Sequence, residues 1–330
     1  MATSPQTYGD ISPRTAAYAI AELLKRGHED MILEKFGQTY VLPTKSSKTA
    51  IFRRYEVLPL ALTPLIEGVT PSGVKPTITD VPVTVEQFGD FIPYTDVIED
   101  THEDPVLREY NALLQQQSTE TVETLRWNTV KAGTNVIYAN GSARTDVNTP
   151  ITLALQRKAT RALKRQRGKH IKSVVSSDAR FRTEPVEAAF VAIVHTDVEN
   201  DIRNIPGFIP TKQYGTSPAW ANEIGSVEDV RYVRSVMFTP FADAGGAKGA
   251  MVSTTGTSAD VYPVLYFAKD AYGIVPLKGK SAMSIIVHNP GSSGSADALN
   301  QRGTIGWKLW HASVILNDLW LERVEVAATN

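Results

Sequence analysis

The 330-residue sequence sets 34 lysines and arginines against 35 aspartates and glutamates, and its formal net charge of −1 gives no global pull toward nucleic acid or a membrane. With 42 % hydrophobic and 21 % charged residues it is a folded, globular composition long enough for two domains. Cysteine is absent, which excludes disulfides, thiolate metal sites and cysteine nucleophiles.

The N-terminal stretch lacks a basic region followed by an apolar one, so no secretory signal is expected. Residues 1–47 read as an arm, with a short amphipathic helix over Thr15–Arg26 between Pro13 and Gly27. From Lys48 to Leu60, β-branched and aromatic residues predict a strand. A Pro/Gly-rich turn follows, "TPLIEGVTPSGVKP", and the chain returns extended, so residues 48–93 form a long candidate hairpin. Val81, Val83 and Val85 alternate with Pro82, Thr84 and Glu86, the period of a half-buried strand. The phase slips at Gln87–Phe88 before Gly89, which reads as a bulge or bend, and Pro82 marks an edge strand or a free-standing hairpin arm.

A long helix is predicted over residues 104–132, with Asp104 as N-cap, Pro105 at the first helical position, and Glu99, Asp100 and Glu103 at the dipole-positive end. Its apolar stripe of Leu107, Tyr110 and Leu114 resumes at Val122 and Leu125. Between them "QQQSTET" is polar on every side, which suits a strut lying across a surface. A second helix is expected from a cap at Thr149–Pro150 to Gly168. Mixed α/β sequence follows, beginning with "AAFVAIV" (Ala188–Val194), the longest clean apolar run. That is far short of the roughly 20 residues that span a bilayer, so a soluble protein with no membrane partner is expected.

Motifs for chemistry are weak. "GIVPLKGKS" puts five residues, including Pro276, between its first Gly and Gly-Lys-Ser where a phosphate loop has four, and it reads as a hairpin turn. Asp197, Glu199 and Asp201 alternate as in a calcium loop but lack its Gly and closing Glu, so a solvated helix face is expected. "GHED" and "THED" read as helix-end caps, and Trp307, Trp310 and Trp320 as packing residues. No catalytic, cofactor-binding or metal residue is assigned. The one marked charge feature is "QRKATRALKRQRGKHIK", eight cations in a stretch with no acidic residue between Asp146 and Asp178. On a helix Arg157, Arg161, Lys164 and Arg165 share a face opposite Leu155, Ala159, Ala162 and Leu163. With Lys158, these cations are the candidate site for sequence-independent contact with DNA phosphates, against a solvated face or a partner for the acidic run Glu99–Asp104.

Arm, hairpin, long helix and α/β region, in that order, resemble the major capsid proteins of tailed bacteriophages with the Hong Kong 97-type fold, and within it the coliphage N4-like subfamily. The resemblance runs from about Thr7 to Val326 and is carried by "QFGDFIPYTDVIEDTHEDPVL", "VHTDVENDIRNIPGFIPTKQYG", "EIGSVEDVRYV", "AYGIVPLKG" and "NQRGTIGWKLWHASVILND". It implies an α+β fold with an N-terminal arm (1–47), an extended loop (48–93) over a neighbouring subunit, a peripheral domain (94–170) with spine helix 104–132, an axial domain (171–302), and a C-terminal strand region (303–330) returning to the peripheral domain. The implied function is structural and not enzymatic: hexamers and pentamers of one chain closing an icosahedral shell around double-stranded DNA in the virion, assembled in the host bacterial cytoplasm with scaffold, portal and decoration proteins. The alternatives are an encapsulin-like compartment shell and an α/β enzyme with an unrecognised site.

Overall fold

The computed structural model of the chain describes residues 31–45, 47–96, 106–175, 183–214, 219–277, 283–290, 299 and 301–330. The amphipathic helix expected over Thr15–Arg26, the cap at Asp104, the "GHED" and "THED" stretches and the turn after Leu277 lie outside them.

In chain order the elements are β1 (Gln38–Thr39), β2 (Thr49–Tyr55), β3 (Ile78–Thr84), β4 (Glu86–Thr95), α1 (Val106–Lys131), β5 (Val136–Tyr138) and α2 (Leu153–Arg165). Then come β6 (Ile171–Val175), β7 (Thr183–His195), α3 (Glu199–Arg203), β8 (Phe208–Pro210), β9 (Glu223–Val227) and β10 (Val230–Ser235). The last are β11 (Tyr262–Phe267), β12 (Tyr272–Ile274), β13 (Ser284–His288), β14 (Arg302–His311), β15 (Ser313–Ile315) and β16 (Leu321–Val326).

The largest sheet runs β5-β16-β11-β7-β10-β9-β8, with β6 on the first half of β7. The apolar run in β7 is buried on both sides. Phe190, Ala192 and Val194 face a core shared with Ala159 and Leu163 of α2, while Val191 and Ile193 face one shared with Trp127 and Val130 of α1. In β16 all six residues are buried, Glu322, Arg323 and Glu325 included, because β11 and β5 flank the strand and α2 covers it.

A second sheet, β13-β14-β4, packs Tyr94, Ile305, Trp307 and Leu309 against Leu114 and Val122 of α1. Packing therefore crosses the expected domain boundaries: β5 and α2 join the large sheet, and β13 joins the sheet beneath α1.

The start of α2 differs in detail. Thr152, not Thr149, caps α2, its hydroxyl oxygen accepting from Leu155 N at 3.4 Å, and the helix ends at Arg165. Its buried stripe is Gln156, Ala159, Thr160 and Leu163. Gln156 is held by polar partners: Tyr232 Oη donates to its Oε1 at 2.8 Å, and its Nε2 donates to Val227 O at 2.8 Å.

Candidate assembly surfaces

The hairpin is rooted at one end only. Strands β2 and β3 pair antiparallel from Thr49↔Thr84 to Tyr55↔Ile78. Ala50, Val83 and Val85 pack at the root with Leu42, Val275 and Ala312. Tyr40, beyond β1, meets Phe52 edge-on at 5.7 Å. The opposite face carries Ile51, Pro82, Tyr55 and Ile78 in the open, around an Arg53–Asp80 pair in which Nε lies 2.8 Å from Oδ1. Pro82 forfeits nothing there, since among the described residues this two-stranded ribbon has no third strand beyond β3.

From Glu56 to Thr77 no strand forms, and the segment stands free of the body with Leu60, Leu62 and Leu65 at 77 %, 82 % and 77 % exposure. Val57, Leu58, Ile66, Val69 and Val74 are likewise exposed. Fully burying one such side chain is worth about 1.5–3 kcal/mol, so this run is a large apolar surface awaiting a cover.

The expected bulge at Gln87–Gly89 is absent, because β4 keeps one unbroken register with β14 from Glu86↔His311 to Thr95↔Arg302. The change falls earlier, at Val85, where the chain leaves β2 and joins β14. Gly89 serves close approach: a Cβ there would meet Trp307 O at 2.5 Å.

The polar waist of α1 is buried on one side only, with Gln115, Ser118 and Thr119 buried and Gln116 and Gln117 exposed. In the turns that follow, Glu123 and Arg126 are buried as well. Residues 31–36 lie across those turns. Glu123 Oε1 accepts Ile32 N and Leu33 N, Arg126 Nη1 lies 3.3 Å from Glu34 Oε2, and Tyr272 Oη donates to Leu33 O at 2.6 Å. Burial raises the Glu123 pKa, with Arg126 and the two N–H groups opposing it. On the far side Trp307 Nε1 donates to Gln117 Oε1 at 2.9 Å, and Gln117 Nε2 to Asp90 Oδ2 at 2.6 Å. Gln117 and Glu123 are polar because what lands on them is indole and backbone N–H respectively.

The candidate cations separate into two groups. Arg157 Nε donates to Glu228 Oε1 at 2.9 Å, and Lys164 Nζ lies 2.5 Å from Asp229 Oδ2. The turn between β9 and β10 therefore partners this face of α2; the acidic run Glu99–Asp104 lies outside the described residues. Lys158 acts on Glu322 across the strand beneath. Arg161 and Arg165 stay exposed, with no carboxylate partner among the described residues.

The carboxylates of the candidate calcium loop go to separate tasks, which replaces the expected solvated face. Asp197 Oδ2 accepts from Tyr262 Oη at 2.7 Å, Glu199 pairs with Arg203 and Arg234, and buried Asp201 accepts Thr329 N at 2.9 Å and its hydroxyl. Among the described residues no group of His, Asp or Glu side chains is arranged to hold a metal ion.

The chain thus presents a free apolar loop on a rooted hairpin, beside a long helix and a mixed sheet. The sequence of residues 78–323, well over half of the chain, matches the phage capsid protein family. The chain belongs to that family. It is a structural protein, a major capsid subunit of the phage shell. Solved capsid structures share its fold. The capsid of Ralstonia phage GP4 superposes with a TM-score of 0.64 at 10 % identity, over 100 % of this chain and 95 % of that chain. The capsid of Cyanophage P-SCSP1u gives 0.59 at 14 % identity, over 91 % and 89 %. The head of Helicobacter pylori bacteriophage KHP40 gives 0.59 at 9 %, over 99 % and 94 %. At such identities the likeness carries the α+β Hong Kong 97-type fold and no residue roles. No curated protein matches the sequence.

Proposed function

We propose that the capsid protein closes an icosahedral shell of hexamers and pentamers around double-stranded DNA, with residues 48–84 laid over a neighbouring subunit. The observation that carries this is the apolar run from Val57 to Val74, exposed on a hairpin that its own subunit leaves uncovered. Such a surface is stable in water only once another surface takes it.

In this reading the arm is 1–47 and the spine helix is α1. The peripheral unit is α1 with β4, β13 and β14, and the axial unit is the large sheet with α2. Scaffold, portal and decoration proteins join the partners, assembly takes place in the host bacterial cytoplasm, and the resemblance of the five sequence stretches supports an N4-like subfamily. Arg161 and Arg165 face the packaged DNA and reduce repulsion at the wall without reading bases. No step of chemistry is assigned to the chain.

The test replaces residues 56–77 with a short Gly/Ser linker and compares thermal melting with electron microscopy of the particles. The expected result is cooperative melting close to wild type with no closed shells. Loss of cooperative melting assigns the loop to the subunit's own core and sinks the proposal. DNA in purified wild-type particles supports the viral shell, whereas protein cargo supports an encapsulin-like compartment.

A further inference from the structure

The ribbon of β2 and β3 has two faces of different character. The even-numbered residues of β2 turn toward the body of their own subunit. Ala50 is buried in the root core, and Phe52 lies over Gly273 of β12, where a Cβ would meet its Cζ at 3.0 Å. Farther out the same face is closed by polar groups: Glu56 Oε1 accepts from Arg54 Nη2 at 2.8 Å and from Thr79 Oγ1 at 2.7 Å. The other face is open and largely apolar. Ile51, Tyr55 and Ile78 are 57 %, 63 % and 45 % exposed, and exposed Pro82 stands opposite Ile51.

The charged feature of the open face satisfies itself. Arg53 Nε donates to Asp80 Oδ1 at 2.8 Å and Nη2 to Oδ2 at 2.9 Å, two parallel bonds across the strand pair. Both carboxylate oxygens are taken and the two charges cancel. Such a pair can be enclosed by an uncharged surface without a further counter-charge, provided both members are present. It offers no net positive charge to a DNA phosphate. The face also runs on into the loop. Glu56 N donates to Thr77 O at 2.9 Å, one rung beyond Tyr55↔Ile78, so Val57, 77 % exposed, continues the period-2 row of Ile51, Arg53 and Tyr55.

We infer that a second copy of the chain lies on this open face, from Ile51 and Pro82 outward, and meets the Arg53–Asp80 pair with an uncharged surface. The inference rests on the shell-forming reading and adds which side of the ribbon is covered and by what chemistry. Position and size select the occupant. The subunit's own body already holds the opposite face at the root. Seven residue pairs make a strip about 23 Å long and two strands wide, on the order of 200–300 Å². That is well under the roughly 800 Å² that each partner gives to a stable interface, so the strip is too small to hold a separate protein. It gains a full-sized contact only as the continuation of the exposed run from Val57 to Val74, and therefore shares that run's occupant.

The experiment is a double-mutant cycle in the full-length protein, scored by thermal melting of the unassembled subunit and by shell yield in electron microscopy. Arg53→Met and Asp80→Leu should each melt close to wild type, because the pair is 53 % and 40 % exposed in the free subunit. Each should lower shell yield by about tenfold or more, because the charge left behind is enclosed without its partner. Arg53→Met combined with Asp80→Leu removes both charges and should bring the yield back toward wild type. Arg54→Gln, on the opposite face, should assemble as wild type does. Full yield from both single variants, or a combined variant no better than the singles, overturns the inference. So does an equal loss in Arg54→Gln, which assigns the cover to the other face, or a loss of cooperative melting in the singles, which assigns the pair to the subunit's own fold. A defect confined to filled particles, with empty shells forming normally, assigns the face to DNA and overturns it as well. A wild type that never assembles overturns the shell reading itself.

Discussion

Glu123 Oε1 accepts the backbone N–H of Leu33 at 2.9 Å, across a separation of 90 residues, while the carboxylate is only 1 % exposed. With Ile32 N at 3.0 Å it holds the segment ahead of the hairpin onto the middle of α1. Glu123→Leu leaves two N–H groups and Arg126 without their acceptor, and the expected loss is about 3–5 kcal/mol. Glu123→Gln keeps an acceptor oxygen and should lose less than half as much. Chemical denaturation of both variants checks this, and equal losses would show that the carboxylate oxygen is not what holds the segment.

His311, buried beside Arg126, has its pKa lowered to about 3, first by burial and then by that guanidinium. The unfolded imidazole takes its proton near 6.5, and the folded one resists until about 3. Folding stability is therefore complete above the higher value and is lost progressively as pH falls through that window. His311→Gln should flatten the fall of melting temperature between about pH 6.5 and 4. An unchanged slope in the variant would place the acid lability elsewhere.

Glu322 runs the other way. Burial raises its pKa to about 7, with Lys158 opposing and Asp318 adding to the rise. The folded state holds this proton more tightly than the unfolded chain, so stability is full below the ordinary carboxylate range and declines as pH rises toward 7. Glu322→Gln should melt higher than wild type at about pH 8 and no differently at about pH 4. Lys158→Gln should deepen the loss at the higher pH.

Because Arg157, Lys158 and Lys164 serve neighbours within the subunit, only Arg161 and Arg165 test contact with packaged DNA cleanly. Changing both to Gln should leave melting and empty-shell formation unaltered, while the log–log salt slope of DNA retention becomes shallower. If empty shells also fail, the pair belongs to an interface between subunits.

Legibility in the sequence followed the range of the contacts. The run Ala188–Val194, the valine alternation from Val81 to Val85 and the long helix were readable because period and length are local. What covers them was not. "QQQSTET" looked solvated on every side because nothing in residues 115–121 announces that Trp307 will donate to Gln117, or that Leu33 will lie on Glu123 in the next turn. Likewise the partners of Arg157 and Lys164 sit at Glu228 and Asp229, a turn more than sixty residues downstream. The pairing change at Val85 escaped because β2 and β14 accept the same alternating pattern, and only the tertiary path decides which one takes the strand.

That path has a mechanical consequence. A pull on the free loop travels down β3, passes Val85, and enters β4 along its own axis. Strand β4 is bound to β14 along its whole length, from Glu86 to Thr95, so the load falls on all its rungs together in shear. The β2–β3 ribbon, pulled apart at its open end, instead gives way one rung at a time. The subunit thus joins a part that peels under small force to one that resists until many bonds fail at once. A shell strained from within should let its loops ride and settle while its plates stay whole.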